Sequence, residues 1–246
     1  MIDILRSEWT KIRSVRSTVW TLAATVALMV GIGALISAAN RGNTDGPIPA
    51  DEAIAGSLVG VMFASLSLAT LGVLVISSEY RTGGIRTSLM AVPKRLSLLT
   101  GKMLVFTATA LVTSAVASAA ALAVGLAIIQ PPSLVLGDAA RAVGGAALFL
   151  TACGVFGLGL GTLVRHTPGA IMAATALMLV LPPLMNQLPG QWGRTVADYF
   201  TTNAGMLIAN GQSSASLGPW SGFGVYLVWI AVTVVASAAL LLRRDA

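Results

Sequence analysis

The chain of 246 residues is 56% hydrophobic and only 10% charged, with a mean hydropathy of +0.85, whereas soluble domains carry roughly one-quarter charged residues. That balance excludes an ordinary soluble fold and identifies a membrane protein. The formal net charge of +6 does not indicate nucleic acid, because the bases are sorted between loops rather than gathered into one patch.

Residues 1–18 predict an amphipathic helix at the membrane surface. Ile2, Leu5, Trp9 and Ile12 share one face at helical spacing, Arg6 and Arg13 lie at its edges, and Trp9 is placed as an interfacial anchor. Six stretches without Asp, Glu, Lys, Arg or His follow: Val19 to Ala39, Ile54 to Ser77, Met103 to Ile129, Ala142 to Val164, Ala170 to Leu188 and Gly222 to Leu242. Each has about the 20 residues needed to cross some 30 Å of hydrocarbon. The basic start, first apolar run and small residues Ser37 and Ala39 imitate a secretory leader. The run has full spanning length, however, and is read as span 1.

Twelve bases fall on one side of this six-span topology: four before span 1, five between spans 2 and 3, Arg165 between spans 4 and 5, and Arg243 and Arg244 after span 6. Only Arg41, Arg141 and Arg194 fall on the other, so the positive-inside rule makes both termini cytoplasmic. The whole chain, 1–246, reads as one all-α transmembrane domain.

The outer connections 40–53 and 130–141 are rich in Gly and Pro and read as short loops. Segment 189–221 is too long for a plain connector. It carries Trp192, Tyr199, Phe200, Trp220 and the apolar "AGMLIANG", predicting one or two short helices that dip into the outer interface before span 6. Gly56 with Gly60, and Gly157 with Gly161, have the small-xxx-small spacing that lets helices approach closely. The lone Cys153 reads as a small buried packing residue, and His166 as a solvated residue of a short turn.

The segment "ISSEYRTGGIRTSLMAVPKR", Ile76 to Arg95, interrupts this pattern. Ile85, Leu89, Val92 and Leu96 form one helical stripe with Arg86, Thr87, Met90 and Lys94 opposite, and Gly83, Gly84 and Pro93 bound the helix. Such a helix lies along the membrane, which explains its amphipathicity and nothing more. Glu79 goes further: an acid where span 2 leaves the membrane, beside Arg81, exceeds what topology requires and predicts an ionic partner.

With a further lysine at Lys102, "EYRTGGIRTSLMAVPKR" resembles the cytoplasmic segment of ABC-2 type permeases, the six-span subunits of bacterial ABC transporters whose ATPase is a separate polypeptide. The lead-in "SEWTKIRSVRSTVW" (7–20) and "YFTTNAG" (199–205) support the resemblance, which covers the whole chain; Gly84 departs from the Thr or Ser common there, moving any hydroxyl cap to Thr82. The resemblance implies an ABCG-like exporter fold in a bacterial plasma membrane. Its parts are an N-terminal connecting helix, six spans, a coupling helix between spans 2 and 3, and re-entrant helices before span 6. It implies a second permease chain, identical or not, and an ATP-binding-cassette partner that holds ATP and Mg²⁺. It assigns Glu79, Arg81, Gly83, Ile85, Arg86, Leu89, Pro93, Lys94 and Arg95 to ATPase coupling. It also draws a substrate path along spans 2 and 5, through Met62, Phe63, Leu66, Met178 and Leu181, suited to a peptide antibiotic, a lipid or a drug-like molecule.

The chain carries no Walker A motif; "TGKM" (100–103) lacks the upstream glycine and the following Ser or Thr. It is therefore not expected to be an enzyme by itself. An ion-coupled carrier or channel is the alternative, weakened by the lack of ionisable groups in all six spans. A membrane hydrolase is disfavoured by a single histidine and the absence of HExxH.

Overall fold

The computed structural model describes residues 2–82 and 95–243, and all regular structure among them is helical. Helix α1 (Ile2–Ser14) is separated from α2 (Arg16–Asn43) by the single extended residue Val15. Next come α3 (Ala50–Ser57), α4 (Val61–Thr82), α5 (Arg95–Ile129) and α6 (Leu136–Val164). Helix α7 (Thr167–Thr175) passes through a π turn (Ala176–Val180) into α8 (Leu181–Met185), followed by α9 (Gly190–Asp198), α10 (Thr201–Asn210) and α11 (Pro219–Arg243). Six helices, counting α3 with α4 and α7 with α8 as one each, are long and apolar enough to cross a membrane.

Span 4 (α6) is the axis of the bundle. Most of its apolar length is buried, whereas spans 1, 5 and 6 are buried over less than a quarter of theirs. Glycine explains how close its neighbour comes. A Cβ at Gly157 would strike the carbonyl of Ala69, one at Gly161 would press on Val73 and Ile76, and one at Gly72 would strike the carbonyl of Gly154. Spans 2 and 4 therefore touch backbone to backbone through the Gly157–Gly161 pair of span 4, while the Gly56–Gly60 pair of span 2 faces span 1. On its other side span 4 holds Tyr226 of α11. The Tyr226 ring lies 5.9 Å from both Phe149 and Phe156, and its hydroxyl donates to Cys153 Sγ at 3.4 Å, so the lone cysteine is a buried packing residue.

Span 2 departs from the sequence reading, which has one uninterrupted run. Its helix breaks at 58–60 between α3 and α4, where the Val61 N–H turns back to the Leu58 carbonyl. Two glycines favour the break through packing. Gly60 abuts the Met29 backbone and the Ser57 carbonyl faces Gly33, so the break is clasped by span 1. The long segment before span 6 contains two short helices, α9 and α10.

Helix α1 leaves Trp9 of its predicted membrane-facing stripe open and turns a second face, unmarked in the sequence reading, toward the bundle. Glu8 and Ile12 are buried while Trp9 is 48% exposed, so the face turned inward is centred on an acid rather than on the apolar stripe. Ile4 on this face meets Gly101 at the start of span 3.

Candidate functional site

The ends of α4 lead to two different polar arrangements. At its C-terminal end Glu79 finds the partner that the sequence demands. Lys102 Nζ of α5 donates to Glu79 Oε1 at 2.8 Å and to Glu8 Oε2 at 2.5 Å; Lys11 Nζ of α1 donates to the same Glu79 oxygen at 2.9 Å and to Glu8 Oε1 at 2.6 Å. Two acids and two bases thus close a neutral ring joining α1, span 2 and span 3.

Three of its members are almost wholly out of solvent: the side chains of Glu8 and Lys102 are each 3% exposed and that of Glu79 is 13%. Lys11 is the outer member at 41%. Burial pulls the Lys11 ammonium down, but hydrogen bonds from it to Glu8 and Glu79, with the charge of both carboxylates, outweigh that and hold it above the ordinary lysine value. Charges this deep are tolerated only when paired, and removing one member of such a pair costs about 3–5 kcal/mol.

The residue after Glu79 is braced on the opposite flank. The Arg165 guanidinium, in the turn between spans 4 and 5, stacks 5.2 Å from the Tyr80 ring centroid and donates to the Leu240 carbonyl of span 6. Thr167 donates to Ser77 at 2.9 Å. His166 is exposed as expected, yet its Nδ1 accepts from the Gly169 N–H at 3.3 Å and caps α7. All these contacts gather at one end of the bundle, around the helix ends that flank residues 83–94. Of the predicted coupling residues, Gly83, Ile85, Arg86, Leu89, Pro93 and Lys94 lie outside the described residues. Arg81 and Arg95 fall in the terminal turns of α4 and α5.

The start of α4 borders a cavity of about 390 Å³ between span 2, span 5 and helices α9 and α10. Met62, Leu66 and Met178 of the predicted path line it together; Phe63 and Leu181 do not. Span 5 is shaped here by proline. Pro182 and Pro183 have no N–H, so in a π turn, where residue i bonds to i−5, the carbonyls of Leu177 and Met178 lose their donors. Two threonines of "YFTTNAG" supply the replacements: Thr201 Oγ1 donates to the Leu177 carbonyl at 2.7 Å and Thr202 Oγ1 to that of Met178 at 2.9 Å. Asn203 Nδ2 adds bonds to the Ala197 carbonyl at 3.0 Å and to Asn186 Oδ1 at 3.2 Å. The motif is a splint for a proline-broken helix, a role the sequence reading did not see.

Among the described residues no group of His, Cys, Asp and Glu is placed to hold a metal ion. No protein-family model matches the sequence, and no curated protein matches it.

Proposed function

We propose that the chain is the membrane subunit of an ATP-driven exporter. It would be an ABC-2 type permease in a bacterial plasma membrane, with both termini cytoplasmic, working beside a second permease chain and a separate ATP-binding-cassette protein that holds ATP and Mg²⁺. The observation that supports this reading best is the buried ring of Glu8, Lys11, Glu79 and Lys102.

A loop that only connects two spans needs no buried clamp at its root, and a clamp of four charges is costly to desolvate. A segment that is pushed does need one. The ring ties both helix ends that flank 83–94 to each other and to α1, so a force on that segment is passed to spans 2 and 3 together instead of being absorbed at one joint. A partner whose contacts differ between its nucleotide states can then shift the bundle between two arrangements. In this reading Glu79 fixes the root of the lever, and Arg86, Lys94 and Arg95 are the groups offered to acids of the ATPase.

The test is purification of the tagged chain from its native membrane in mild detergent. An ATP-binding-cassette protein should accompany it in near-stoichiometric amount and be lost with Arg86→Glu, while the variant chain keeps its own melting temperature. Transport at full rate by the chain alone, in vesicles without ATP, would overturn the proposal in favour of an ion-coupled carrier.

A further inference from the structure

The cavity beside span 5 carries one charge. Among the described residues that line it, only Asp198 is ionisable; the floor is Met62, Leu66, Met178 and Met206. Asp198 Oδ2 is buried and has no hydrogen-bond partner, and the residue takes part in no ion pair among the described residues. Its position sharpens the anomaly. Asp198 is the last residue of α9, the end at which the helix dipole repels an anion and favours a cation. A half-buried acid with one buried, unbonded oxygen, at the wrong end of its helix and in no ion pair among the described residues even with Arg194 one turn back, is a standing demand for a positive group.

The other polar lining residues, Ser65, Asn186, Thr202, Asn203, Asn210 and Ser214, are neutral and bring no charge to meet an anion. The Asn203 amide is spent on Ala197 and Asn186, and the Thr202 hydroxyl on Met178. The methionine floor is soft, adaptable and apolar, and about 390 Å³ lies in the range of drug-sized ligand pockets, roughly 300–1,000 Å³.

We propose that this cavity binds an amphipathic organic cation, its positive group against Asp198 and its apolar body on Met62, Leu66 and Met178. The claim that this cation is cargo rests on the exporter reading; the claim that it binds does not. The positive group could be carried by a free amphiphile or by the ammonium of a lipid headgroup.

A pair of ions of one shape and opposite sign tests the site: tetraphenylphosphonium and tetraphenylborate, titrated into the purified full chain in uncharged maltoside detergent. Tetraphenylphosphonium should bind saturably, one per chain, at least tenfold more tightly than tetraphenylborate. Asp198→Asn should abolish that preference without changing the melting temperature, and Asp198→Glu should keep it. Competition by added phosphatidylethanolamine identifies the lipid headgroup as the source, and lack of competition identifies a free amphiphile. Equal binding of the two ions, or a preference that survives Asp198→Asn, would overturn the proposal. Neither ATP nor a partner enters the measurement, so its failure leaves the ATPase reading standing, and loss of the ATPase in the pull-down leaves this site testable.

Discussion

The two ends of α4 solve the same problem in opposite ways. At its C-terminal end four charges are buried and three ion-pair contacts of 2.5–2.8 Å, with a fourth at 2.9 Å, leave one carboxylate oxygen, Glu79 Oε2, without a partner. At the other end α4 starts from a break, the carbonyls of neighbouring span 5 are satisfied by borrowed hydroxyls, and Asp198 stands in no ion pair among the described residues. One end is internally neutral and locked; the other has an apolar cavity and a charge to offer. On the proposed reading, the difference separates a part that carries force from a part that receives a ligand.

The sharpest way to break this comparison is to ask whether the two ends lie on opposite sides of a membrane. Cysteine at exposed Ser213 should be labelled completely by an impermeant maleimide in intact cells, and cysteine at exposed Ser14 only after permeabilisation; Cys153, fully buried, gives no background. Labelling of both in intact cells would remove the distinction of sides.

The next largest effect is on stability. Lys102→Met strands Glu8 and Glu79 in a dry site and should cost about 3–5 kcal/mol, read as a lowered detergent or thermal midpoint. A Glu8→Leu, Lys102→Met double variant should recover part of that loss. If the single variant melts as the parent does, the ring is no clamp.

At the other end Thr201→Val and Thr202→Val each leave a buried carbonyl unpaired, for about 1–3 kcal/mol, and Thr201→Ser should be close to neutral. A loss as large as that of Lys102→Met would mean that the two ends are equally rigid.

The smallest effect is expected from Lys11→Ala, at most about 1 kcal/mol for so exposed a member. Because the folded state holds Lys11 above its ordinary value, its contribution is complete below a pH of about 10.4 and fades as pH rises through the raised value. The variant should lack that alkaline decline in melting temperature.

The sequence made the spans legible because hydrocarbon tolerates so few charges that their absence is itself the signal. It also pointed to Glu79, since acids are rare among the twelve bases on its side. By that argument Glu8 is equally visible, yet it lies beside the stripe of Ile2, Leu5, Trp9 and Ile12, which accounts for the helix as a membrane-surface element and gives no sign of a second, inward face. Lys102 was hidden for another reason: a base at a span border satisfies topology and so seemed explained. The break at 58–60 and the π turn were not legible, because each depends on a neighbour, the Met29 backbone in one case and the hydroxyls of Thr201 and Thr202 in the other. Of the predicted path, Met62, Leu66 and Met178 line the cavity while Phe63 and Leu181 do not, since neighbouring positions on a helix point about 100° apart and residue type alone does not set which of them faces the cavity.

The backbone contacts of Gly72 with Gly154 and of Gly157 with Ala69, across spans 2 and 4, have a mechanical consequence. Where side chains interdigitate, two helices can slide by exchanging rotamers; where carbonyl meets glycine there is nothing to exchange, and the pair behaves as a single beam. A tilt imposed at Glu79 must then carry the core of the bundle with it. On the proposed lever reading, relative motion is left to the thinly buried outer spans 1, 5 and 6, of which span 5 carries its π turn beside the cavity.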